Sequence, residues 1–176
     1  MEQVILVDEN DNSIGTMEKM KAHEDALLHR AFSVFVFNKH GEMLLQQRAP
    51  DKYHSAGLWT NTCCSHPRPG EETLAAANRR LQEEMGFTTP LTKVFDFVYQ
   101  ASFENGLTEY EFDHVFVGHH DNAVHPNPAE VQGYAHYSMQ DIQEMLQSQP
   151  QMFTAWFHIA FPKLYVWWRH QARNEN

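Results

Sequence analysis

The alternation of apolar and polar residues predicts a series of short strands in the first part of the chain. Near its beginning lies the apolar run VILVDE, which predicts a strand closed by the turn-like DNSIG. An alternating stretch rich in strand-favouring residues follows, AFSVFVF, and the turn NKHGE leads from it to MLLQQR. We therefore expect AFSVFVF and MLLQQR to pair as a β-hairpin.

Helical spacing first appears in the Ala-rich stretch EETLAAANRRLQEEMG. A helix here would place three apolar side chains on one side, namely Leu74, Ala77 and Leu81. Gly86 provides a stop signal at its end. The preceding stretch, APDKYHSAGLW, contains Pro, Gly and Ser without a period, so it predicts a loop.

The second half of the chain predicts another hairpin, one more strand and two helices. VFDFVYQASF and TEYEFDHVFVGHH have the pattern of strands and are joined by an Asn-Gly hairpin signal. EVQGYAHYS predicts a strand, SMQDIQEMLQ a short helix, and residues 153–170 a terminal aromatic helix. Strands and helices are thus mixed, which favours an α/β or α+β domain with a largely mixed sheet.

Length and composition fit one domain spanning residues 1–176. Hydrophobic residues make up 42% of the chain and aromatic residues 12%, enough for a sizeable core. The formal net charge of −10 argues against a broad nucleic-acid surface, because phosphate binding needs a basic face. A small anionic ligand is compatible with this charge, since it needs only a few local Lys and Arg residues.

Neither a targeting segment nor a membrane span is predicted. The stretch MEQVILVDENDN lacks the basic start and the long apolar run of a secretory signal. No run reaches the ~18 apolar residues expected of a spanning helix. The aromatic stretch FTAWFHIAFPKLYVWWRH comes closest, but His, Pro, Lys and Arg residues interrupt it. We therefore expect a cytoplasmic protein without membrane contact, whose thiols stay reduced.

Both cysteines of the chain stand side by side, in the motif NTCCSHP over residues 61–67. Neighbouring cysteines do not readily satisfy disulfide geometry, and a reducing compartment also opposes that bond. A metal site and a reactive thiol remain as alternatives for Cys63, Cys64 and His66. The motif lacks the paired CxxC spacing typical of structural zinc sites.

The predicted helix carries a second group of polar residues. Arg79 and Glu83 are four apart, as are Arg80 and Glu84, so these side chains could simply pair along a solvated face. Alternatively, a carboxylate of this helix holds Mg²⁺, which in turn holds a diphosphate. Mg²⁺ typically takes one or two protein carboxylates and fills its other positions with water and phosphate oxygens.

The stretch from 65 to 87 resembles the Nudix box, whose form is G, five residues, E, seven residues, REUxEExGU. The positions in register are Glu71, Arg79, Leu81, Glu83, Glu84, Gly86 and Phe87. Ser65 stands where the box has its glycine, and Arg80 where it has its second glutamate. The resemblance implies a Nudix-like α/β/α sandwich with a mixed β-sheet. Arg80 reverses a charge that a hydrolytic metal cluster would need.

Segments outside the box carry a more specific resemblance. They are GTMEKMKAHEDALLHRAFS, RAPDKYHSAGLWTNTCCSHP, ENGLTEYEFDHVF and FTAWF. Together they resemble the type I isopentenyl-diphosphate isomerases, a Nudix-fold family, from about residue 3 to 165. The resemblance implies a small-molecule substrate and a reversible allylic rearrangement. Isopentenyl and dimethylallyl diphosphate interconvert by protonation and deprotonation through a tertiary carbocation.

Three imidazoles and two carboxylates form a candidate metal site. His23, His29 and His66 come from three segments, and each alone could be an ordinary surface histidine. Glu109 and Glu111 are two apart in a predicted strand, so both side chains point to the same face. Such a set could bind Mn²⁺, Mg²⁺ or Zn²⁺ with one coordination position left open. The isomerase resemblance assigns these five residues to one divalent ion.

Further expectations concern the other face of the strand that carries Glu109 and Glu111, and the predicted helix that carries Glu84. Tyr110 and Phe112 are expected to take the core-facing side, and an isolated glutamate pair would usually be solvated. The resemblance also implies a Mg²⁺ ion at Glu84 that bridges to the substrate diphosphate.

The resemblance further implies four catalytic side chains. Cys64 is expected to be the reactive thiol and Glu111 its acid/base partner across the substrate. Tyr99 would assist proton delivery, and Trp156 would face the carbocation, which an aromatic ring can stabilise.

The diphosphate needs cations, and four basic residues match positions that the family uses for it: Lys19, Arg48, Lys52 and Arg80. Guanidinium groups favour bidentate phosphate contact, although each of these side chains alone could be a solvated surface charge. Cys63 is expected to pack in the interior as a small thiol. No role is expected for the remaining histidines, such as His119, His120, His125 and His136.

Three functions compete at this point. The first is the metal-dependent isomerase, and the second is a Nudix hydrolase of a small diphosphate. The third is a non-enzymatic zinc-binding module that uses Cys63, Cys64 and His66. A monomer or weak dimer is expected, with the aromatic C-terminal residues Tyr165, Trp167 and Trp168 covering the core.

Overall fold

The fold is described by a computed structural model that covers residues 1–175. These residues contain nine strands: β1 Gln3–Val7, β2 Ser13–Glu18, β3 His29–Phe37, β4 Met43–Arg48, β5 Trp59–Thr60, β6 Cys63–Ser65, β7 Leu91–Ser102, β8 Thr108–His119 and β9 Val131–Tyr137. They also contain four α-helices: α1 Lys19–Glu24, α2 Thr73–Met85, α3 Met139–Ser148 and α4 Ala155–Asn174. A short 3₁₀ turn at Pro150–Met152 lies between the last two helices.

Strand β3 lies at the centre of one mixed sheet. Along one edge it pairs in parallel with β8, from His29 opposite Glu111 to Phe37 opposite His119. Three antiparallel strands share its other edge, β1 at its start, β6 in its middle and β4 at its end. Strand β7 continues the sheet beyond β8, and β4 also pairs with β5 and β9.

Helices cover both faces of this sheet. Consecutive side chains of a strand point to opposite faces. Val34 of β3 accordingly joins a buried cluster with Ala77 and Leu81 of α2, whereas Phe35 joins a second cluster with Ile142 of α3 and Phe157 of α4. The expected α/β/α sandwich with a mixed sheet is therefore confirmed.

One expectation about local structure is confirmed only in part, and another is wrong. The stretches that form β3 and β4 follow each other in the chain, but Phe37 and Met43 are their only paired residues among residues 1–175. The edges of β3 are occupied by β8 and β6, so β4 pairs mainly with β9 instead. Leu74 does not face the core with Leu81. It lies in the first turn of α2 and is 46% exposed.

The faces of β8 are also reversed relative to the expectation. Glu109 and Glu111 are buried, with 5% and 6% of their surface exposed, whereas Tyr110 and Phe112 are only partly buried. The polar side chains face inward because α1 and the loop between β4 and β5 bring histidines to that face. The rest of the second hairpin, β7 with β8, is as expected.

Local contacts fix the ends of two helices. Gly86 ends α2 in the left-handed region, with φ at 77°, and a Cβ there would lie 2.3 Å from the carbonyl oxygen of His125. Thr154 caps α4 by accepting a hydrogen bond from the backbone N–H of Phe157. The Thr154 hydroxyl also donates to Thr60 of β5, which fixes the first turn of α4 against the sheet.

The C-terminal helix covers one face of the core. Tyr165, Trp167 and Trp168 pack against the buried cluster on the α3 and α4 side and are themselves partly buried. In the part of the chain that the structure describes, no helix has the length and apolar character needed to cross a membrane.

Candidate active site

The sheet register places three of the predicted site residues in one row. His29 of β3 lies opposite Glu111 of β8, which in turn lies opposite Tyr99 of β7. Neighbouring strands bring such side chains within contact distance on one face of the sheet. His23 on α1 and His66, directly after β6, complete a cluster above this row. The ring centroid of His29 lies 5.2 Å from that of His23 and 5.0 Å from that of His66.

Backbone carbonyl groups orient two of these imidazoles. The Nδ1 atom of His23 lies 2.7 Å from the carbonyl oxygen of Lys19, and that of His29 lies 2.8 Å from the oxygen of Leu27. A carbonyl oxygen only accepts hydrogen bonds, so each Nδ1 donates and, in the neutral ring, each Nε2 carries a lone pair. Among residues 1–175, neither Nε2 atom makes a well-directed hydrogen bond, and that of His29 lies 3.4 Å from a carboxylate oxygen of Glu111. Imidazoles held in this way are typical of metal ligands.

Glu111 is the acidic centre of this cluster. Its Oε1 atom lies 2.9 Å from Nε2 of His66 and 3.4 Å from Nε2 of His29. Burial opposes ionisation of this carboxyl, but the hydrogen bonds and charges of both histidines outweigh burial and hold its pKa well below the ordinary value. For His29, burial lowers the pKa, and the contact with Glu111 outweighs this and raises it.

Tyr99 joins the two glutamates from the opposite side. Its hydroxyl lies 2.7 Å from Oε2 of Glu109 and 2.6 Å from Oε2 of Glu111. Burial and the two carboxylates raise the pKa of Tyr99 well above its ordinary value, so the hydroxyl keeps its proton. This proton is shared between the carboxylates, and the Oε1 atoms are left to face the histidines.

The five predicted metal ligands fall into two overlapping groups. His23, His29, His66 and Glu111 can offer ligand atoms that all lie within 4.8 Å of one another. Glu109 belongs to a second group with His23 and His54, whose ligand atoms also lie within 4.8 Å of one another, and His54 was not predicted. Buried imidazole nitrogens without partners, next to carboxylates, fit a divalent cation of the kind that prefers nitrogen and oxygen ligands.

Strand alternation separates the two adjacent cysteines. Cys63 is fully buried and joins the cluster of Val34 and α2, which agrees with its expected packing role. Cys64 points to the other face, where it lines the same cleft as His66, two residues further on. Both thiols are free. The disulfide is thereby excluded, and only one of the cysteines meets the histidine cluster.

Cys64 is held by two polar neighbours. Its Sγ atom donates a hydrogen bond to Oδ1 of Asn61 at 2.9 Å and lies 3.6 Å from the hydroxyl of Ser33. The Ser33 hydroxyl donates to Asp113, a fully buried carboxyl. Burial, together with the charge of Asp113, raises the pKa of the Cys64 thiol, so Cys64 holds its proton at neutral pH.

Trp156 and Arg48 close another side of the cleft. Trp156 lies in the first turn of α4 and is 3% exposed. The guanidinium of Arg48 lies 5.1 Å from the centroid of the Trp156 ring, a cation–π distance. Both side chains line the cleft together with Cys64, Glu111 and Tyr99, and this cleft holds about 360 Å³ of empty space. All four predicted catalytic side chains therefore meet in one place.

The other predicted cations lie outside the cleft lining. Lys52 is paired with Glu130, and Arg80 contacts both Glu84 at 2.7 Å and Glu130 at 3.6 Å. Glu84 also accepts a hydrogen bond from Gln46 and is buried. This second charge cluster contains the predicted Mg²⁺ ligand and two predicted phosphate contacts.

Lys19 pairs with Glu2 at 2.9 Å and lies 5.0 Å from the ring centroid of Tyr53, a residue of the cleft.

The residue pattern did not single out His54, Asp113 or Glu130. Asp113 continues the period of two set by Glu109 and Glu111, and that period could have identified it. His54 lies in a loop without a period, so its place beside Glu109 follows only from the tertiary structure. Glu130 precedes β9 and meets Lys52 only because of the sheet order.

Comparison with known proteins identifies the fold family first. A NUDIX domain is recognised over residues 27–157. The crystal structure of DR0079 from Deinococcus radiodurans superposes with a TM-score of 0.70 at 18% identity, covering 84% of this chain and 90% of that one. The MutT protein of Methanosarcina mazei has a TM-score of 0.62 at 21% identity, covering 85% and 96%. At these identities the likeness concerns the fold alone.

Sequence relatives narrow the family further. The isopentenyl-diphosphate Delta-isomerase of Pectobacterium atrosepticum is 50% identical over 167 residues, 95% of this chain and 93% of that protein. The isopentenyl-diphosphate Delta-isomerase of Serratia proteamaculans is 52% identical over 156 residues, 89% and 87% of the two chains. The chain therefore belongs to the isopentenyl-diphosphate Delta-isomerases, enzymes built on the NUDIX fold.

Proposed function

We propose that this enzyme interconverts isopentenyl diphosphate and dimethylallyl diphosphate at the cleft beneath Trp156. One observation carries the proposal: a protonated thiol, Cys64, and an ionised carboxylate, Glu111, line the same buried cleft. The reaction needs a proton donor and a proton acceptor at one carbon skeleton, and this pair supplies both.

The reaction moves a double bond without net loss of atoms. A proton adds to the terminal carbon of the C=C bond, and the electron pair of that bond forms the new C–H bond. The adjacent carbon becomes a tertiary carbocation. A proton then leaves the carbon next to it on the diphosphate side, and its bonding electrons form the new C=C bond. One proton enters and one leaves, so the enzyme needs no oxidant or reductant.

Cys64 and Glu111 are the groups proposed to exchange these protons. Positioned acid/base groups contribute typically ~10²–10⁴-fold to a rate. Asn61 directs the Cys64 thiol, and the Tyr99 hydroxyl links Glu111 with Glu109, so a proton on this side can pass between three oxygens that lie in contact. Tyr99 is therefore proposed to assist proton delivery at Glu111.

Trp156 is proposed to stabilise the carbocation and to keep water away from it. The face of an indole ring attracts a cation, by about 2 kcal/mol in a site without water. The position of the cationic Arg48 over the same ring supports this role, since the ring already lies beside a positive charge. Water exclusion matters as well, because water would quench the carbocation.

A divalent ion is proposed to lie among His23, His29, His66, Glu109 and Glu111. When bound, such an ion supplies positive charge that orders these side chains and adjusts the acidity of groups next to it. Backbone carbonyls hold the rings of His23 and His29 through Nδ1, which leaves Nε2 as the atom that can bind the ion.

The substrate diphosphate is proposed to contact Arg48 first, since this is the predicted cation that lines the cleft. Lys52 and Arg80 share the carboxylate of Glu130, and we propose that phosphate oxygens take the place of this carboxylate. Glu84, in the same charge cluster as Arg80 and Glu130, would hold a Mg²⁺ ion that binds the diphosphate. Lys19 is the fourth proposed cation.

The test is incubation of the purified protein with isopentenyl diphosphate and Mg²⁺ in deuterated water, followed by NMR. Appearance of dimethylallyl diphosphate with deuterium in its carbon skeleton supports the proposal. Release of inorganic phosphate without isomerisation would contradict it and would favour the hydrolase. Zinc binding without either reaction would leave the non-enzymatic alternative.

A further inference from the structure

A fourth histidine lies beside the proposed metal site. His54 belongs to the loop between β4 and β5, yet only 6% of its surface is exposed. Its Nε2 atom lies 3.0 Å from Oε1 of Glu109. Its ring centroid lies 6.2 Å from that of His23, a histidine that belongs to both ligand groups.

Like two of the expected ligands, His54 has a polar partner at Nδ1. Its Nδ1 atom lies 3.1 Å from the hydroxyl of Ser55, just as Nδ1 of His23 and His29 contacts a backbone carbonyl. In each of the three rings, the buried Nε2 atom makes no well-directed hydrogen bond within residues 1–175, although those of His29 and His54 lie 3.4 and 3.0 Å from glutamate oxygens. A buried nitrogen without a well-directed hydrogen bond costs free energy unless a ligand compensates for it.

Neighbouring rings fix the direction of this Nε2 atom. Phe103 stacks on the His54 ring at 4.4 Å with an interplanar angle of 8°, and Trp156 meets it edge-on at 5.7 Å. Arg48 donates a hydrogen bond to the carbonyl oxygen of His54. Ser55 has φ at 54°, a backbone conformation that non-glycine residues rarely adopt, so the loop is held in an unusual shape at this point.

We propose that His54 is a further ligand of the divalent ion and fills the coordination position that the five other ligands leave open. The inference rests on the metal site of the proposed function. Two ligand atoms about 2.1 Å from one ion and at right angles to each other lie about 3.0 Å apart. His54 and Glu109 are separated by 3.0 Å, and His66 and Glu111 by 2.9 Å. Both pairs thus have the spacing of neighbouring ligands.

This ligand would connect the metal to the loop between β4 and β5. That loop carries Lys52, two residues before His54, and it follows Arg48, the last residue of β4, which lines the cleft. Metal binding at His54 would therefore order the segment that supplies cations to the diphosphate.

The test counts metal-bound imidazoles by NMR. The metal-free full chain is labelled with ¹⁵N and titrated with Zn²⁺, and long-range ¹H–¹⁵N correlations report which ring nitrogens bind the ion. We expect four Nε2 signals to shift in the wild-type protein and three in His54→Gln. We also expect His54→Gln to bind Zn²⁺ about 10-fold more weakly or worse in a chelator competition.

The matched control is His40→Gln, which removes an exposed histidine and should leave four shifted signals and unchanged affinity. Three shifted signals in the wild-type protein would overturn the proposal, as would wild-type affinity in His54→Gln. The wild-type count decides the question even if the variant does not fold. Because no substrate is present, this result is independent of the isomerase assay.

Discussion

Two adjacent cysteines have different chemical surroundings because β6 sends their side chains to opposite faces of the sheet. Cys64 meets Ser33, Asn61 and the cleft, whereas Cys63 is enclosed among apolar side chains that include residues of α2. Only Cys64 can reach a ligand in the cleft. The chemistry of a thiol here follows from its position in the strand, and the motif alone does not distinguish the pair.

This difference predicts opposite results for two matched variants. Cys64→Ala should lower the isomerisation rate at least about 100-fold, because it removes a proton-transfer group. Cys63→Ala should keep most of the activity, since it removes only a buried packing atom. The measurement is turnover of isopentenyl diphosphate, with far-UV circular dichroism and metal content to verify the fold. A near wild-type rate in Cys64→Ala would mean that another group exchanges the proton.

At the same scale, the residue pattern and the family resemblance together named most of the side chains that the structure brings to the cleft. Spacing along β8 correctly placed Glu109 and Glu111 on one face, but it gave that face the wrong surroundings. The reason is that a pair of carboxylates is normally solvated, and only the tertiary structure supplies the histidines and Tyr99 that allow their burial. His54 escaped notice because a loop has no periodicity from which a direction can be inferred.

At the scale of elements, turn and alternation patterns in the sequence predicted the hairpins and helix ends that depend on contacts between residues close in the chain. The β7–β8 hairpin follows from its turn and alternation, and α2 ends at Gly86 as expected. The pairing of β3 could not be predicted in this way. Its partners β8 and β6 are distant in the chain, and their fit to both edges of β3 outweighs the short turn that leads to β4.

Helix α2 offers a matched pair of leucines for a stability test. Leu81 is fully buried, so Leu81→Ala should lower the free energy of unfolding by about 2–5 kcal/mol. Leu74→Ala should change it by less than about 0.5 kcal/mol, because Leu74 is largely exposed. Urea unfolding of both variants measures the difference. Equal losses would show that the first turn of α2 is buried in solution.

An ion pair joins the middle of α2 to the segment before the helix. The Arg79 guanidinium donates to both carboxylate oxygens of Glu71, at 2.8 and 2.9 Å. These hydrogen bonds lower the pKa of Glu71 to about 2 from an ordinary 4.5. A depressed carboxyl pKa stabilises the fold above the ordinary value, and this contribution is lost as the pH falls toward about 2.

Glu71→Gln should therefore lower the free energy of unfolding at pH 7 by on the order of 1 kcal/mol. The gap between the variant and the wild-type protein should close as the pH falls from about 4.5 toward about 2. Urea unfolding across this pH range provides the measurement. A gap that is constant with pH would mean that the ion pair does not contribute through its charge.

At the scale of the whole molecule, the proposed metal site joins elements that are far apart in sequence. Its ligands come from α1, β3, the segment after β6, and β8. An ion bound by all of them should stabilise the folded state alone, because the unfolded chain does not hold these residues together. Metal binding is therefore a measure of global folding.

We expect Zn²⁺ or Mn²⁺ at about 100 times its dissociation constant to add about 2.7 kcal/mol of stability. For a chain of this size, the melting temperature should rise by about 5–10 °C. The gain should be lost as the pH falls below about 6.5, since ligand histidines must be neutral. Differential scanning calorimetry measures the shift. His29→Gln should abolish it, whereas His40→Gln should retain it, and an equal shift in both would contradict the assignment.

The spread of the ligands along the chain also has a consequence for biosynthesis. Roughly 90 residues separate His23 from Glu111, and the parallel pairing of β3 with β8 cannot form until the second of these strands has been made. At about 5–20 residues per second, a ribosome needs on the order of 10 s to cover that distance. His23 and His29 are therefore synthesised well before Glu109 and Glu111, and they lack these carboxylate partners during much of translation. The proposed site can therefore bind its ion only late in synthesis, when the chain is nearly complete.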